Sequence, residues 1–312
     1  MGREDCFFER KMRSVRKRLR PLAYWLLKKK YRHVVIEQKG GLASQLGLYV
    51  VGEYLRRRYG HDVVYDLSWF EADGMDILGS SSRKWELENC FEIQVPHADP
   101  AEAATLKNWL PLKADNQFGS DSVLANAQAP FYWVSEMSSA EYKIKMADFL
   151  QSLKFKTAVV DAVREESEEI ARWENSVCLH VRRGDFVGSV HDICGLGYYR
   201  RAIDFLLQKL PSRDGLKFFV FSNGFDWVKE NILPLLPSGI PVQLMQKNDN
   251  DHMHGDFFLM SRCRHAVGAN SGFYIWSTLL NPQAGAIVIE PDKIIRGVKN
   301  ETVPEHYRIE VD

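Results

Sequence analysis

The sequence lacks the features that would assign it to several large protein classes. No apolar run reaches the ~18 residues needed to cross a bilayer. It has no G-x-x-x-x-G-K-[ST] or G-x-G-x-x-G motif, which argues against a P-loop nucleotidase or a simple dinucleotide oxidoreductase. The five cysteines are scattered and form no C-x-x-C pair. This pattern is typical of reduced thiols, so we expect a cytoplasmic protein.

Net charge is also missing, because 41 Lys and Arg balance 41 Asp and Glu over 312 residues. A nucleic-acid partner for the whole chain is therefore not expected. Eleven basic residues and no acid lie between Arg10 and Arg32, and residues 21–27 are apolar. Residues 1–32 are thus either a solvated basic tail or an interfacial helix in peripheral contact with an anionic membrane.

Residues 33–150 are predicted to form an N-terminal domain. Residues 33–37 are predicted to form a strand, 43–58 a helix with apolar residues at helical spacing, and 62–66 a second strand. This order is typical of a parallel α/β unit. Residues 70–135 are rich in aromatic residues, with Pro, Gly and Ser between them, and give no clear assignment.

Residues 151–312 are predicted to form a C-terminal Rossmann-like domain. Buried strands are predicted over 177–181, 218–221, 241–245, 266–268 and 286–289, and most are separated by helical stretches near 200–209, 225–233, 255–262 and 273–280. Strands that alternate with helices in this way favour a parallel sheet covered on both faces.

The segment from His180 to Asp185 predicts an anion site. Side chains alternate along a strand, so His180 and Arg182 share one face. Ligands of open α/β sheets bind at the carboxyl ends of strands. Arg182 and Arg183 offer planar donors that stay charged, which suits a diphosphate, and Asp185 could orient them.

Two further turns are predicted at the same edge of the sheet. Asn270, Ser271, Gly272 and Phe273 follow a predicted strand and open a helix, where free N–H groups attract phosphate. Ser222 and Asn223 follow the strand at 218–221, where they could contact ribose or base, although an ordinary turn explains them equally well.

Asp249, Asn250 and Asp251 offer an alternative, because two carboxylates could hold a divalent ion against a diphosphate. Polar residues are also expected in a loop between a strand and a helix. We therefore predict no metal site and no cofactor.

Four segments together resemble the α-1,2-fucosyltransferases of glycosyltransferase family 11. They are H-x-R-R-x-D at 180–185, F-S-x-x at 221–224, D-x-x-x-M-S-x-C-x-H with A-N-S-x-F over 256–273, and G-G-L-A-S-Q at 40–45. Departures include Ser44 for the usual Asn, Phe186 for a common Tyr, and Asn223-Gly224 for an acidic pair. They leave the arginine motif intact.

The resemblance implies a fold of GT-B type, with two Rossmann-like domains facing a central cleft, and inverting, metal-independent transfer from GDP-fucose. The implied acceptor is the 2-hydroxyl of a galactose-containing oligosaccharide or glycolipid, such as an O-antigen unit. Arg182 would grip the diphosphate, with His180, Arg183 and Asp185 around it. Gly40, Gly41, Ser222, Asn223 and the turn from Asn270 to Phe273 would also bind the donor.

The base that takes the acceptor proton is not identified by the motifs. Glu37 and Asp185 are the candidates, because each is predicted near the cleft. A fucosyltransferase of different linkage or acceptor is an alternative function. A non-catalytic nucleotide-sugar or glycan-binding protein of the same fold is another.

Overall fold

The computed structural model describes residues 3–72, 74–75, 82–113, 122–135, 145–246, 253–300, 303 and 305–311, and excludes the side chains of residues 3–14 and of Ser122. The predicted alternative at Asp249 to Asp251 lies outside the described residues. The chain divides into two compact units. Unit 1 comprises Met1–Glu88 and Ile93–Tyr142, and unit 2 comprises Asn89–Glu92 and Lys143–Asp312.

Unit 1 is built on a parallel sheet in the order β2-β1-β4-β3. Every residue of β1, β2 and β4 is buried, which explains their continuous apolar character. Its strands are β1 (Val34–Glu37), β2 (Val63–Asp66), β3 (Pro111–Leu112) and β4 (Phe131–Trp133). Its helices are α1 (Arg3–Leu27), α2 (Leu42–Tyr59), α3 (Ser68–Ala72), α5 (Pro100–Trp109) and α6 (Ser122–Ala125), while α4 (Leu87–Cys90) contains the boundary between the units.

The predicted strand, glycine turn, helix and strand at the start of unit 1 are confirmed. Gly40 adopts a positive φ of 74° and Gly41 caps α2, a conformation that glycine tolerates without strain. The helix ends at Gly60, which is left-handed and satisfies carbonyls of the last turn. These caps fix the carboxyl end of β1 beside the start of α2.

Helix α1 packs along unit 1 by one face. Arg20 Nη2 donates to the carbonyl of Pro111 at 2.9 Å, and Tyr24 OH donates to that of Ala129 at 3.2 Å. Tyr24 and Leu27 pack against the unit 1 cluster that contains Val35 and Tyr132. In the described chain no helix combines the length and the apolar character that a membrane span requires.

Unit 2 contains a parallel sheet in the order β12-β9-β8-β5-β6-β7 and an antiparallel pair, β10 and β11. Its strands are β5 (Asn175–Val181), β6 (Leu216–Ser222), β7 (Val242–Leu244), β8 (His265–Gly268), β9 (Val288–Pro291), β10 (Lys293–Ile295), β11 (Val298–Lys299) and β12 (Tyr307–Ile309). Its helices are α7 (Ala147–Ser152), α8 (Thr157–Ala162), α9 (Arg164–Ala171), α10 (Leu196–Lys209), α11 (Phe225–Trp227), α12 (Met253–Arg262) and α13 (Gly272–Leu279).

The central strand β5 separates two hydrophobic layers. Val177, Leu179 and Val181 belong to one buried cluster, whereas Cys178 belongs to the other. This alternation is the side-chain period of a strand, and helices cover both layers. The five strands predicted for this part of the chain are confirmed, with bounds shifted by a few residues.

Candidate functional site

The carboxyl end of β5 brings the arginine motif beside the turn that opens α13. His180 of β5 pairs with Gly268 of β8, and the N–H of Ala269 donates to the carbonyl of His180 at 3.2 Å. Helix α13 begins at Gly272, so its first turn lies at the same sheet edge as Arg182. The two segments singled out from the sequence are thus neighbours.

The guanidinium group of Arg182 is held by Asp185 through its Nη2 atom. Its Nη2 lies 2.9 Å from Asp185 Oδ1 and 3.0 Å from Oδ2, and its Cζ lies 5.5 Å from the centre of the Phe186 ring. Its Nε is buried and has no hydrogen-bond partner among the described residues. A buried donor without a partner costs about 1–3 kcal/mol, so this position suits a ligand that accepts a hydrogen bond.

His180 is a neutral imidazole beside that guanidinium group. Its side chain stacks on Tyr274 with ring centres 5.7 Å apart, and the residue is 5% exposed. Burial, and to a lesser degree the charge of Arg182, lower the pKa of His180 from 6.5 to about 3. Within the described chain, its Nδ1 is buried without a partner. His180 Nδ1 on β5 and Arg182 Nε just after this strand are therefore both left without a partner among the described residues.

Arg183 has its own set of contacts. Its Nη1 lies 3.3 Å from Asp192 Oδ1, and its Cζ lies 4.4 Å from the centre of the Trp227 ring. Its N–H donates to Asn223 Oδ1 at 2.8 Å. Gly184 follows with a φ of 39°, and a Cβ there would lie 2.4 Å from Asn223 Nδ2. The arginine motif and the Asn223 turn are therefore closely interlocked.

Ser222 stabilises the same turn, because its Oγ accepts the N–H of Gly224 at 3.0 Å. A Cβ on Gly224 would lie 2.9 Å from the Cβ of Arg183. These contacts account for the polar residues after β6 as parts of a packed turn. The prediction that Ser222 and Asn223 bind the donor stays a prediction.

The side chain of Asn270 is fully engaged by neighbouring loops. Its Nδ2 donates to the carbonyls of His191 at 3.1 Å and Ile294 at 2.6 Å, and its Oδ1 accepts from Cys194 Sγ at 3.4 Å. Asn270 is 5% exposed. We therefore interpret it as the residue that fixes these loops around the turn.

The first turn of α13 presents backbone donors. Ser271 is the N-cap residue, and its side chain makes no capping hydrogen bond. The N–H groups of the first helical turn lack intrahelical acceptors by geometry. Phe273 packs on Phe257 with ring centres 4.8 Å apart, which anchors the turn. This arrangement is favourable for phosphate.

A cavity of about 260 Å³ lies next to Arg183's partner Asp192. Its lining includes Lys293 and Arg296, on the segment that carries β10 and β11. Neither cation belongs to a recognisable sequence motif. Only the fold brings them close to the arginine motif.

At the carboxyl edge of the unit 1 sheet, Glu37 is held by two ammonium groups. Lys107 Nζ lies 2.7 Å from Oε1 and Lys39 Nζ lies 2.8 Å from Oε2. Burial by itself would raise the pKa of Glu37, but the hydrogen bonds from Lys107 and Lys39 lower it below its usual value. A carboxylate in this state is a weak proton acceptor.

Gln45 shows what the glycine-rich segment does in the fold. Its Nε2 donates to the carbonyls of Gly40 and Lys84 at 2.9 and 2.8 Å, and its Oε1 accepts the N–H groups of Glu86 and Leu87 at 2.8 and 3.1 Å. All four hydrogen-bonding positions of the amide are filled. Gly41 has open space where a Cβ would stand.

The described residues contain no group of three or more His, Cys, Asp or Glu side chains arranged to hold a metal ion. The four cysteines whose side chains are described, Cys90, Cys178, Cys194 and Cys263, are buried and form no disulfide with one another.

Residues 101–302 match the sequence profile of glycosyl transferase family 11. The chain belongs to glycosyl transferase family 11. The resemblance noted from the four motifs is thereby confirmed, and the matched region contains both segments of the β5 edge.

Two curated relatives of this family 11 chain come from Escherichia coli. An alpha-1,2-colitosyltransferase is 29% identical over 165 residues, which is 51% of this chain and about half (53%) of that protein. The O-antigen biosynthesis glycosyltransferase WbnK is 23% identical over 295 residues, covering 83% of this chain and 93% of the relative.

Among solved structures, the NodZ alpha-1,6-fucosyltransferase of Bradyrhizobium, co-crystallised with GDP, superposes with a TM-score of 0.53. The alignment covers 84% of this chain and 96% of NodZ at 15% identity. At this identity the likeness concerns the fold alone. The predicted α/β fold of GT-B type is confirmed for this family 11 chain.

Proposed function

We propose that this chain catalyses inverting transfer of L-fucose from GDP-fucose to the 2-hydroxyl of a galactoside in a bacterial surface glycan such as O-antigen. The observation that carries the proposal is the edge of the β5 strand, where Arg182 Nε and His180 Nδ1 are buried without partners among the described residues. Their neighbour is the N-terminus of α13. Family membership and the colitosyl and O-antigen relatives support the same reaction class.

Arg182 would stabilise the departing GDP. Cleavage of the bond from the anomeric carbon to the β-phosphate oxygen leaves negative charge on that phosphate. A prepositioned donor that meets such charge contributes about 3–4 kcal/mol to the transition state. The Asp185 contacts hold the guanidinium group in one orientation, so little reorganisation is needed when the charge develops.

The first turn of α13 and the cations beside the cavity would complete the donor site. Free N–H groups after Ser271 favour phosphate, and Lys293 and Arg296 add positive charge near Asp192. NodZ was crystallised with GDP, which supports a guanosine diphosphate as the leaving group here. His180 would contact the donor as a neutral imidazole.

A single back-side displacement inverts the sugar and requires a base for the acceptor hydroxyl proton. Of the two predicted candidates, Glu37 has a pKa lowered by its two lysine partners, which weakens it as a base, whereas Asp185 lies at the proposed donor site through its contact with Arg182. We retain Asp185 as the candidate base and assign Glu37 a structural role. Asp185→Asn distinguishes two roles of Asp185, as the base that takes the acceptor proton or as the carboxylate that orients Arg182. Loss of the acidic limb of the pH profile of kcat supports a base, whereas a lower kcat with an unchanged profile supports orientation of Arg182.

An acceptor screen tests the proposal directly. The protein is mixed with GDP-fucose and a panel of galactosides, GDP release is followed, and the linkage of the product is determined. We expect release to depend on a terminal galactoside and the product to carry fucose on the 2-hydroxyl. Binding of GDP-fucose without release on any acceptor would favour the non-catalytic binding protein.

Metal independence is tested in the same assay. We propose that cationic side chains replace a divalent ion at the diphosphate, so activity should persist in excess EDTA. An absolute requirement for Mn²⁺ or Mg²⁺ would contradict this and support the alternative metal site at Asp249 and Asp251.

A second donor sugar is favoured by one observation, the similarity to an alpha-1,2-colitosyltransferase. Colitose lacks the 3-hydroxyl group of fucose, so the same diphosphate contacts would serve both donors. Competition between GDP-fucose and GDP-colitose would identify the preferred sugar. The predicted cytoplasmic location and a different linkage or acceptor remain predictions to be tested on the product and in cells.

A further inference from the structure

Helix α1 carries an exposed apolar stripe. Val15, Leu19, Leu22 and Leu26 are 41, 42, 56 and 52% exposed. At about 100° per residue these four positions fall within roughly 60° of the helix circumference. A contiguous apolar surface of this kind marks a site of interaction.

The stripe is not the face that holds α1 in place. Arg20, Tyr24 and Leu27 make the contacts with unit 1 described above, and they project from a different side of the helix. The anchored face fixes the orientation of α1 on unit 1. The stripe therefore points away from the core of that unit.

Cations border the stripe. Trp25 lies at its margin and is 49% exposed, and Lys29 Nζ lies 3.5 Å from the centre of the Trp25 ring. Arg18 is exposed on the same side. Eleven basic residues and no acid lie between Arg10 and Arg32. Basic residues beside Trp and Leu on one helix are typical of segments that lie in a membrane interface.

We propose that the stripe on α1 docks on an anionic phospholipid bilayer, with Leu19, Leu22 and Leu26 at the boundary of headgroups and acyl chains. Charge complementarity selects this partner. A second copy of the chain on the same face would bring two sets of eleven cations together, which is electrostatically unfavourable. The proposal is independent of the transfer reaction, because none of these residues belongs to the donor site.

Vesicle flotation tests the proposal with the full chain. Vesicles of phosphatidylcholine with phosphatidylglycerol are compared with vesicles of phosphatidylcholine alone. We expect binding to the anionic vesicles, little binding to the neutral ones, and a decrease as salt is added. Equal binding to both vesicle types, or none to the anionic ones, would overturn the proposal.

Two variants separate the charge from the apolar contacts. Arg18→Ala with Lys29→Ala should weaken vesicle binding about 30-fold, since each basic residue near an anionic surface contributes about 1 kcal/mol. Leu19→Ser, Leu22→Ser and Leu26→Ser together should weaken it more than about tenfold. Circular dichroism and urea unfolding show whether each variant is folded.

A matched control places the same type of change elsewhere. Leu196 and Val242 are 40 and 37% exposed in unit 2, so Leu196→Ser with Val242→Ser should leave vesicle binding unchanged. If this pair weakened binding as much as the triple change in α1, the assignment to the stripe would be wrong.

Trp25 provides a second readout that does not depend on affinity. The chain has eight tryptophans, and brominated lipid in the vesicles should quench mainly the fluorescence of Trp25. Most of the quenching should therefore be lost in Trp25→Phe. Quenching that is unchanged in this variant would contradict insertion of α1. Sedimentation without lipid gives the remaining test, because a wild-type dimer that the triple change converts to a monomer would assign the stripe to self-association instead.

Discussion

The carboxyl edges of the two sheets carry similar polar side chains in opposite hydrogen-bonding states. In unit 2, Arg182 Nε and His180 Nδ1 are buried without partners among the described residues. In unit 1, both oxygens of Glu37 bind lysines, and Tyr132 OH donates to Asp66 Oδ2 at 2.6 Å. Polar groups that are already satisfied stabilise a fold, whereas buried groups that lack a partner mark the place where a ligand is expected.

Gln38 is the exception at the unit 1 edge. It is fully buried, and neither its Nε2 nor its Oε1 has a hydrogen-bond partner in the part of the chain that the structure describes. It follows Glu37 at the end of β1. Gln38 is therefore the polar side chain at the end of β1 whose hydrogen-bonding groups lack a partner among the described residues.

The largest effect is expected for Arg182→Ala. Removal of a donor that meets developing charge should lower kcat by about 10²–10³, because the β-phosphate loses its positioned cation. Steady-state kinetics with GDP-fucose measures the loss. Arg182→Lys, which keeps the charge without the planar fork, should retain an intermediate rate. Full activity of Arg182→Ala with native unfolding behaviour would remove the main support for the site.

Asn270→Ala should have the largest effect on stability. It leaves the carbonyls of His191 and Ile294 without their donor, which costs about 2–3 kcal/mol when the groups are buried. Urea unfolding monitored by tryptophan fluorescence gives the change in the free energy of unfolding. A change below about 0.5 kcal/mol would show that these loops do not depend on Asn270.

Acid should destabilise unit 2 through His180. Its pKa is lowered from 6.5 to about 3 in the fold, so the unfolded chain takes up the proton first as the pH falls. As the pH falls from 6.5 to 3, the free energy of unfolding should therefore decrease, and His180 should contribute up to about 1.4 kcal/mol of this decrease per pH unit.

Urea unfolding near pH 7 and pH 5 compares the wild type with His180→Gln. The free energy of unfolding of the variant should depend less steeply on pH. The pH dependence that remains comes from groups such as His265, whose pKa is lowered to about 4 mainly by burial. An unchanged slope would mean that His180 does not titrate as its burial indicates.

Gln38→Leu tests the exception in unit 1. Removing a buried amide without a partner should raise the free energy of unfolding by about 1 kcal/mol. If Gln38 contacts the acceptor, the KM for the acceptor should rise several-fold while the KM for GDP-fucose stays unchanged. A loss of stability would show that the amide is satisfied in solution.

The smallest catalytic effect is expected for Glu37→Gln. Because Glu37 takes no part in the proposed donor site, kcat should fall less than about threefold. Tyr132→Phe is a control that alters the same edge without removing a carboxylate. A loss of more than about 10² with Glu37→Gln alone would restore the prediction that Glu37 is the base.

The sequence was sufficient to predict five of the eight strands described in unit 2, because runs such as 177–181 and 218–221 are continuous and buried, with helices between them. It did not predict β10, β11 and β12. It was insufficient between residues 70 and 135. There β4 (Phe131–Trp133) is only three residues long, and α5 (Pro100–Trp109) follows an irregular segment. A short strand gives no detectable period, so tertiary packing decides such segments.

The neighbouring arginines show a second limit of the sequence. The motif predicts that both bind the donor, and this stays a prediction for each. The structure adds that Arg183 packs on Trp227 and pairs with Asp192, while Arg182 Nε is buried without a partner among the described residues. The two side chains have different surroundings because adjacent residues at the end of a strand point to opposite faces. Likewise, the sequence does not distinguish an asparagine that binds a substrate from one that joins backbone segments, and the described contacts of both Asn223 and Asn270 are within the protein.

Through its four hydrogen bonds, the side chain of Gln45 links two backbone segments, the glycine turn at Gly40 and the segment from Lys84 to Leu87. Gln45→Glu would preserve its shape, but the new oxygen would face the carbonyls of Gly40 and Lys84 and repel both. The glycine turn and the segment from Lys84 to Leu87 would then loosen together. Hydrogen exchange in these two segments should accordingly rise and fall as one unit.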